Sequence, residues 1–127
     1  MSFQNMKIIG EILTVLVAVE HLYILWMEMF AWETAGKRVF GKSLPKELFR
    51  PTKGLAANQG LYNGFLVAGL VWSFLIENPE WSFNVRAFFL GCVIVAGIYG
   101  GLTASKKIIL LQAVPAMLAL LFCLLAR

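Results

Sequence analysis

This sequence predicts an all-α fold, an integral membrane four-helix bundle with both termini outside and the first and third loops in the cytoplasm. Three observations predict it. Of its 127 residues, 60 per cent are hydrophobic and 14 per cent charged. A soluble domain of this size has too much surface for its volume to hide so many apolar side chains. The apolar residues fall into four long runs, none with the strict alternation of a barrel strand. Lysine and arginine are also divided very unevenly between alternate connections.

The runs cover residues 8–32, 55–76, 85–103 and 108–126. At ~1.5 Å rise per residue each matches, or nearly matches, a ~30 Å hydrocarbon core. Helices are the expected form, because hydrocarbon offers no partner to an unpaired backbone group. Residues 1–127 then form a single transmembrane domain. The first run, with Lys7 before it, superficially resembles a signal segment. It is about 25 residues long, carries glutamates and lacks a small-residue cleavage site, so it is expected to be retained. The second, third and fourth runs are joined by short connections, around ENPEWSFN and ASKK, which makes consecutive helices antiparallel. Gly60 with Gly64, and Gly97 with Gly101, are small-xxx-small pairs that let helices approach closely, most simply within one chain. Pro115 is expected to kink the fourth helix or free a carbonyl near Leu111. Cys92 and Cys123 lie in apolar runs and are expected to act as small hydrophobes rather than as a disulfide.

Orientation follows from the basic residues. The first loop, 33–54, holds Lys37, Arg38, Lys42, Lys46, Arg50 and Lys53, and the third holds Lys106 and Lys107, against Lys7, Arg86 and Arg127 on the opposite side. Eight against three assigns the first and third loops to the cytoplasm. The net charge of +4 is therefore topological, and nucleic acid is not an expected partner. Within the loop, Leu44, Leu48 and Phe49 are spaced like the buried side of a short helix with lysines between them. Such a segment suits an anionic leaflet, at ~1 kcal/mol for each cation near the surface.

The stretch VAVEHLYILWMEMFAWE places Glu20 and His21 near the middle of the first run, with Glu28 two turns further on. On a helical wheel Glu20, His21 and Glu28 share one sector, His21 above Glu28, with Val17 and Ile24 between them. Tyr23 and Trp26 fall on the far side. An acid at the bilayer centre costs ~2.5 to 3.5 kcal/mol, so such residues face the bundle interior and seek partners. The second run opens with AANQGLYNG, where Asn58 and Tyr62, and Gln59 and Asn63, are four apart on neighbouring stripes. Tyr99, Thr103 and Gln112 lie in the same cytoplasmic half. A cleft open to the cytoplasm accommodates Glu20, His21, Glu28, Asn58, Gln59, Tyr62, Asn63, Tyr99 and Gln112 as ligand-binding or proton-linked groups. One histidine with two glutamates has neither the number nor the spacing of a metal site. No cofactor is expected.

The elements EHLYILWMEMFAWET, FRPTKG and ANQGLYNGFLVAGLVW resemble a bacterial family of four-span integral membrane proteins, the domain of unknown function number thirteen-oh-four. The resemblance covers nearly the whole chain and implies a membrane protein without supplying a reaction. In layout, LVWSFLIENPEW to QAVPAMLALL is also similar to the membrane-associated proteins in eicosanoid and glutathione metabolism. That likeness implies a glutathione-dependent transferase, although helices two to four have no internal arginine beyond Arg86. Glu20 has the position of the acidic residue in small multidrug exporters, whose antiparallel dimers need almost no charge bias.

These observations lead to one functional expectation and two alternatives. The expectation is binding, or transport, of a small lipophilic or cationic molecule in a cytoplasm-facing cleft with proton-linked glutamates, in the bacterial inner (plasma) membrane. The partners are then the lipid bilayer, anionic lipid at the basic loop, and a further copy of the chain in a homo-oligomer. The alternatives are the transferase-like enzyme and a structural protein whose polar side chains hold helices together at ~0.6 kcal/mol per hydrogen bond. No nucleotide loop or nucleophile triad is present.

Overall fold

The computed structural model covers residues 1–127 and is helical, with no strand. Five α-helices follow in order: α1 (Phe3–Phe30), α2 (Lys37–Phe40), α3 (Lys53–Leu75), α4 (Pro79–Thr103) and α5 (Val114–Leu125). Two wider π-helical turns, Trp32–Gly36 and Ile109–Ala113, and one 3-10 turn, Lys46–Leu48, connect them. Phe3–Phe30 and Pro79–Thr103 are long and apolar enough to cross a membrane, and Ile109–Leu125 is a shorter apolar helix.

Local chemistry sets the helix ends. The Ser2 hydroxyl accepts from the Asn5 N–H at 3.1 Å and starts α1. The Asn78 side chain accepts from the Trp81 N–H at 3.0 Å, and Pro79 occupies the first turn of α4, where its missing N–H costs nothing. The ENPEWSFN segment is therefore mostly helix start rather than connection. α4 begins at Pro79, ahead of the expected 85, and the linker shrinks to residues 76–78. Upstream of Pro115, the expected bend takes the form of the π-helical turn Ile109–Ala113.

α1 packs along α3 and α5, and α4 packs along the same two helices and along the 109–113 turn. The central core draws on all four: Val17 and Ala18 from α1, Leu70 from α3, Leu90 and Val93 from α4, and Ala116 and Ala119 from α5. Small residues mark the closest approaches. A Cβ at Gly10 would lie 3.1 Å from Cys123 Sγ, so the Cys123 thiol packs where α5 crosses α1. A Cβ at Gly60 would lie 2.6 Å from Met29 Cγ and 3.2 Å from the Leu25 carbonyl oxygen. At Gly97 it would lie 2.8 Å from the Ala113 backbone nitrogen. Both glycine pairs thus serve contacts within the chain. Cys92 and Cys123 are free thiols.

The basic loop folds back on the end of α1. Phe49 is fully buried against Trp32, ring centroids 4.9 Å apart, with Ala56 beneath and Phe40 and Leu44 at the side. Trp32 Nε1 donates to Thr52 Oγ1 at 3.0 Å, and Thr52 Oγ1 donates to the Leu48 carbonyl at 2.6 Å. The expected trio of buried residues is corrected at Leu48, which is exposed. Pro45 is extended (φ −56°, ψ 143°) and only Lys46–Leu48 forms a 3-10 turn, so Leu44 and Leu48 share no continuous helix and do not line one face.

The glycine contacts make a stability prediction. Gly97→Ala must displace the backbone of the 109–113 turn and should lower stability by ~1–3 kcal/mol. Gly91 has open space around it, so Gly91→Ala should be neutral or stabilise by ~0.5–1 kcal/mol. Thermal unfolding of the two solubilised variants beside the parent checks the ordering.

Candidate functional site

The site grows from the periodicity of α1. Its buried positions include Gly10, Thr14, Val17, Ala18, His21 and Glu28, and the steps of three, four and seven residues form a stripe along one face. Thr14 is fully buried and stays in register by donating its hydroxyl to the Gly10 carbonyl at 2.7 Å. His21, only 1 % exposed, lies 2.8 Å through Nδ1 from the Val17 carbonyl. A carbonyl only accepts, so this contact assigns the proton to Nδ1. Glu28, 6 % exposed, closes the stripe at the C-terminal end of α1, beside the basic loop.

The partner of Glu28 comes from α3. Gly60 lets α3 approach until its Cα hydrogen faces the Glu28 Cβ, a position where an added Cβ would sit 3.1 Å away. One turn further along α3, Asn63 is on the same face and donates from Nδ2 to Glu28 Oε1 at 2.8 Å. The same amide nitrogen lies 3.2 Å from the Gln59 carbonyl. The small residue and the polar residue three positions later therefore act together: the first brings the helices close, the second uses the proximity.

Glu20 is different. It is half-buried, and its Oε1 is buried with no hydrogen-bond partner. One residue from His21 and near the middle of the 28-residue α1, it is a carboxyl oxygen without a donor. In a hydrocarbon-like surrounding that oxygen calls for a proton, a water or a ligand group. The same environment holds no cluster of three metal-ligating side chains.

The remaining expected residues are placed as follows. Asn58 and Gln59 are exposed, Tyr62 is 59 % exposed and Tyr99 is 69 % exposed, all on outward faces, while Gln112 is half-buried in the π-helical turn. The structure joins Glu28 to Asn63 and buries His21 on the same stripe, and leaves the two tyrosines facing out. A separate cleft of about 620 Å³ lies at the other end of the molecule, among the start of α1, the α3–α4 linker and the end of α5. Sequence reasoning counted its Lys7, Arg86 and Arg127 only as topogenic charges. The signal that marks the cleft is an arginine seven positions inside a long apolar helix.

The family model for a protein of unknown function, DUF1304, matches residues 15–124, the stretch containing the whole α1–α3 site. The chain belongs to the DUF1304 family. It is similar to the uncharacterized protein YpaA of Lactococcus lactis subsp. lactis (strain IL1403), 39 % identical over 118 residues, covering 91 % of this chain and 97 % of that one. No solved structure matches the chain.

The Glu28–Asn63 bond gives this site a direct test. Asn63→Ala should cost ~1–2 kcal/mol, the worth of a hydrogen bond to a carboxyl group in a buried position. A double-mutant cycle of Asn63→Ala with Glu28→Ala, read by thermal unfolding, should return a coupling of ~0.5 kcal/mol or more, whereas Asn58→Ala with Glu28→Ala should return none.

Proposed function

We propose that this protein is a multi-pass protein of the bacterial plasma membrane, with four spans forming a bundle, that binds a small cationic or lipophilic molecule at the acidic face of α1. The single observation behind the binding site is the Glu20 oxygen, buried without a partner midway along a helix long enough to span a bilayer. The membrane reading draws support from the outer surface: Leu16, Val19, Leu22, Trp26, Phe88, Val95 and Leu102 are all exposed. An apolar surface on that scale needs lipid or a partner to cover it. The orientation, with termini outside and the basic 33–54 loop in the cytoplasm against anionic lipid, follows from the lysine and arginine bias.

At such a site a proton and a cationic ligand compete for Glu20. Either one satisfies the orphaned oxygen, and the carboxyl accommodates only one at a time. Exchange of the two across the bundle is the step that would turn binding into transport. His21, held by the Val17 carbonyl, and Glu28, held by Asn63, supply further polar groups along α1's inward stripe. The glutathione-transferase alternative gains no observation, since no cation lies among the hydrogen-bond partners of Glu20, His21, Glu28 or Asn63.

The wild type should remain in the membrane fraction after carbonate extraction. In detergent, a lipophilic cation such as tetraphenylphosphonium should raise its melting temperature at about pH 8 and less at about pH 6, because protons compete for the same carboxyl. Glu20→Gln, which keeps the shape and removes the charge, should lose the ligand shift at both values. An equal shift in the variant, or none in the wild type, contradicts the binding site.

A further inference from the structure

The cleft at the terminal end of the molecule has a cation at its base that the protein itself leaves unpaired. Arg86 is only 9 % exposed, yet neither ion pair of the chain involves it; those are Lys7 with Glu11 and Lys53 with Glu33. Its guanidinium is held from two sides. Nε donates to Ser73 Oγ at 3.0 Å, and the guanidinium carbon sits 4.0 Å from the centre of the Phe74 ring. Ser73 is itself oriented: its hydroxyl proton goes to the Leu70 carbonyl at 2.6 Å, leaving the oxygen free to accept from Arg86. Ser82 ties α4 to the same place by donating to the Ser73 carbonyl at 2.6 Å. Of the three guanidinium nitrogens, only Nε is engaged in a hydrogen bond. The two terminal nitrogens make no hydrogen bond to the protein and open onto the cleft.

A buried guanidinium without a counter-ion is costly, and a bidentate oxyanion is the group whose geometry matches its fork. The cleft's other charges narrow the anion. Lys7 and Arg127 line it, but so do Glu11, Glu77 and Glu80. Glu11 is paired with Lys7, which leaves Glu77 and Glu80 to disfavour a free dianion and to favour a ligand that brings its own positive charge. Phe3, Phe74, Ile76 and Phe83 supply an apolar wall beside these charges. Arg86 lies seven residues into α4, ~10 Å from the helix start at ~1.5 Å per residue, which in the proposed membrane bundle keeps it in the end of the span nearest the headgroups.

We propose that this cleft is a headgroup site for a zwitterionic phospholipid-type amphiphile, its phosphodiester on the terminal nitrogens of Arg86 and its ammonium among Glu77 and Glu80. The site is independent of Glu20 and Glu28 and rests on the membrane reading alone. Carbonate extraction tests that reading separately.

The test is binding of phosphatidylethanolamine to the delipidated full-length protein in nonionic detergent, measured by native mass spectrometry. Wild type should bind it, and Arg86→Gln should weaken binding tenfold or more, with Arg86→Lys intermediate and Lys53→Gln unchanged. Phosphatidylglycerol, which lacks the ammonium, and diacylglycerol, which lacks the phosphate, should each bind more weakly. Millimolar inorganic phosphate should not displace the lipid. Should Arg86→Gln fail to fold, Ser73→Ala carries the test: it leaves the charge, removes the acceptor that orients it, and should weaken binding several-fold. Unchanged binding in the Arg86 or Ser73 variant overturns the proposal. So does equal binding of phosphatidylglycerol or diacylglycerol, or displacement by phosphate.

Discussion

The structure depends on one constraint: α1 carries polar and ionisable side chains along the face it must bury. Thr14, His21 and Glu28 occupy the same stripe as Gly10 and Val17, so turning that face to an apolar surrounding would strand a histidine and a carboxyl without partners. It is covered instead by α3 on one side and α5 on the other. Each polar group on the stripe is met by a specific device. Thr14 and His21 turn back to the carbonyls of their own helix, and Glu28 takes an amide from α3.

Close approach makes those devices effective, and small residues make the approach possible. Gly10 admits Cys123 of α5, and Gly60 admits α3 to the region of Leu25 and Glu28. On the far side of the molecule Gly97 admits the π-helical turn at Ala113. The two ends of the bundle then differ in character. One end closes over an aromatic cluster of Trp32, Phe49 and Phe40 beneath the basic loop. The other stays open as a charged cleft whose buried cation is braced by serine and phenylalanine.

The helical class, the approximate extent of the long helices and the stacking of His21 over Glu28 were legible in the sequence, because hydrophobic run length and the 100° wheel determine them directly. Which face of α3 meets α1 was less so. Four polar residues at its start looked equivalent by spacing, yet only Asn63 reaches α1. Gly60 explains the choice: measured from it on the wheel, Asn63 lies about 60° away, whereas Tyr62 and Asn58 lie about 160° away. The glycine marks the contact face, and the polar spacing alone does not. The early start of α4 was missed because an Asn-Pro cap reads as a turn when the eye follows apolar run length. Arg86 was missed for a related reason. A charge near a helix end counts toward topology, and only tertiary packing of Ser73 and Phe74 reveals that it is buried.

The Thr14–Val17–His21–Glu28 stripe of α1 faces the protein, and in the proposed membrane bundle the opposite stripe faces lipid. Single-cysteine scanning of positions 12 to 28, in a chain with Cys92 and Cys123 replaced by alanine, tests it most directly. A nitroxide attached to each cysteine in detergent, with the protein then reconstituted into lipid and its collisional accessibility to oxygen measured, would report the lipid-facing side. Oxygen accessibility should have minima at 14, 17, 21 and 28 and maxima at 19, 22, 23 and 26. Uniform accessibility, or minima at the second set, would contradict it.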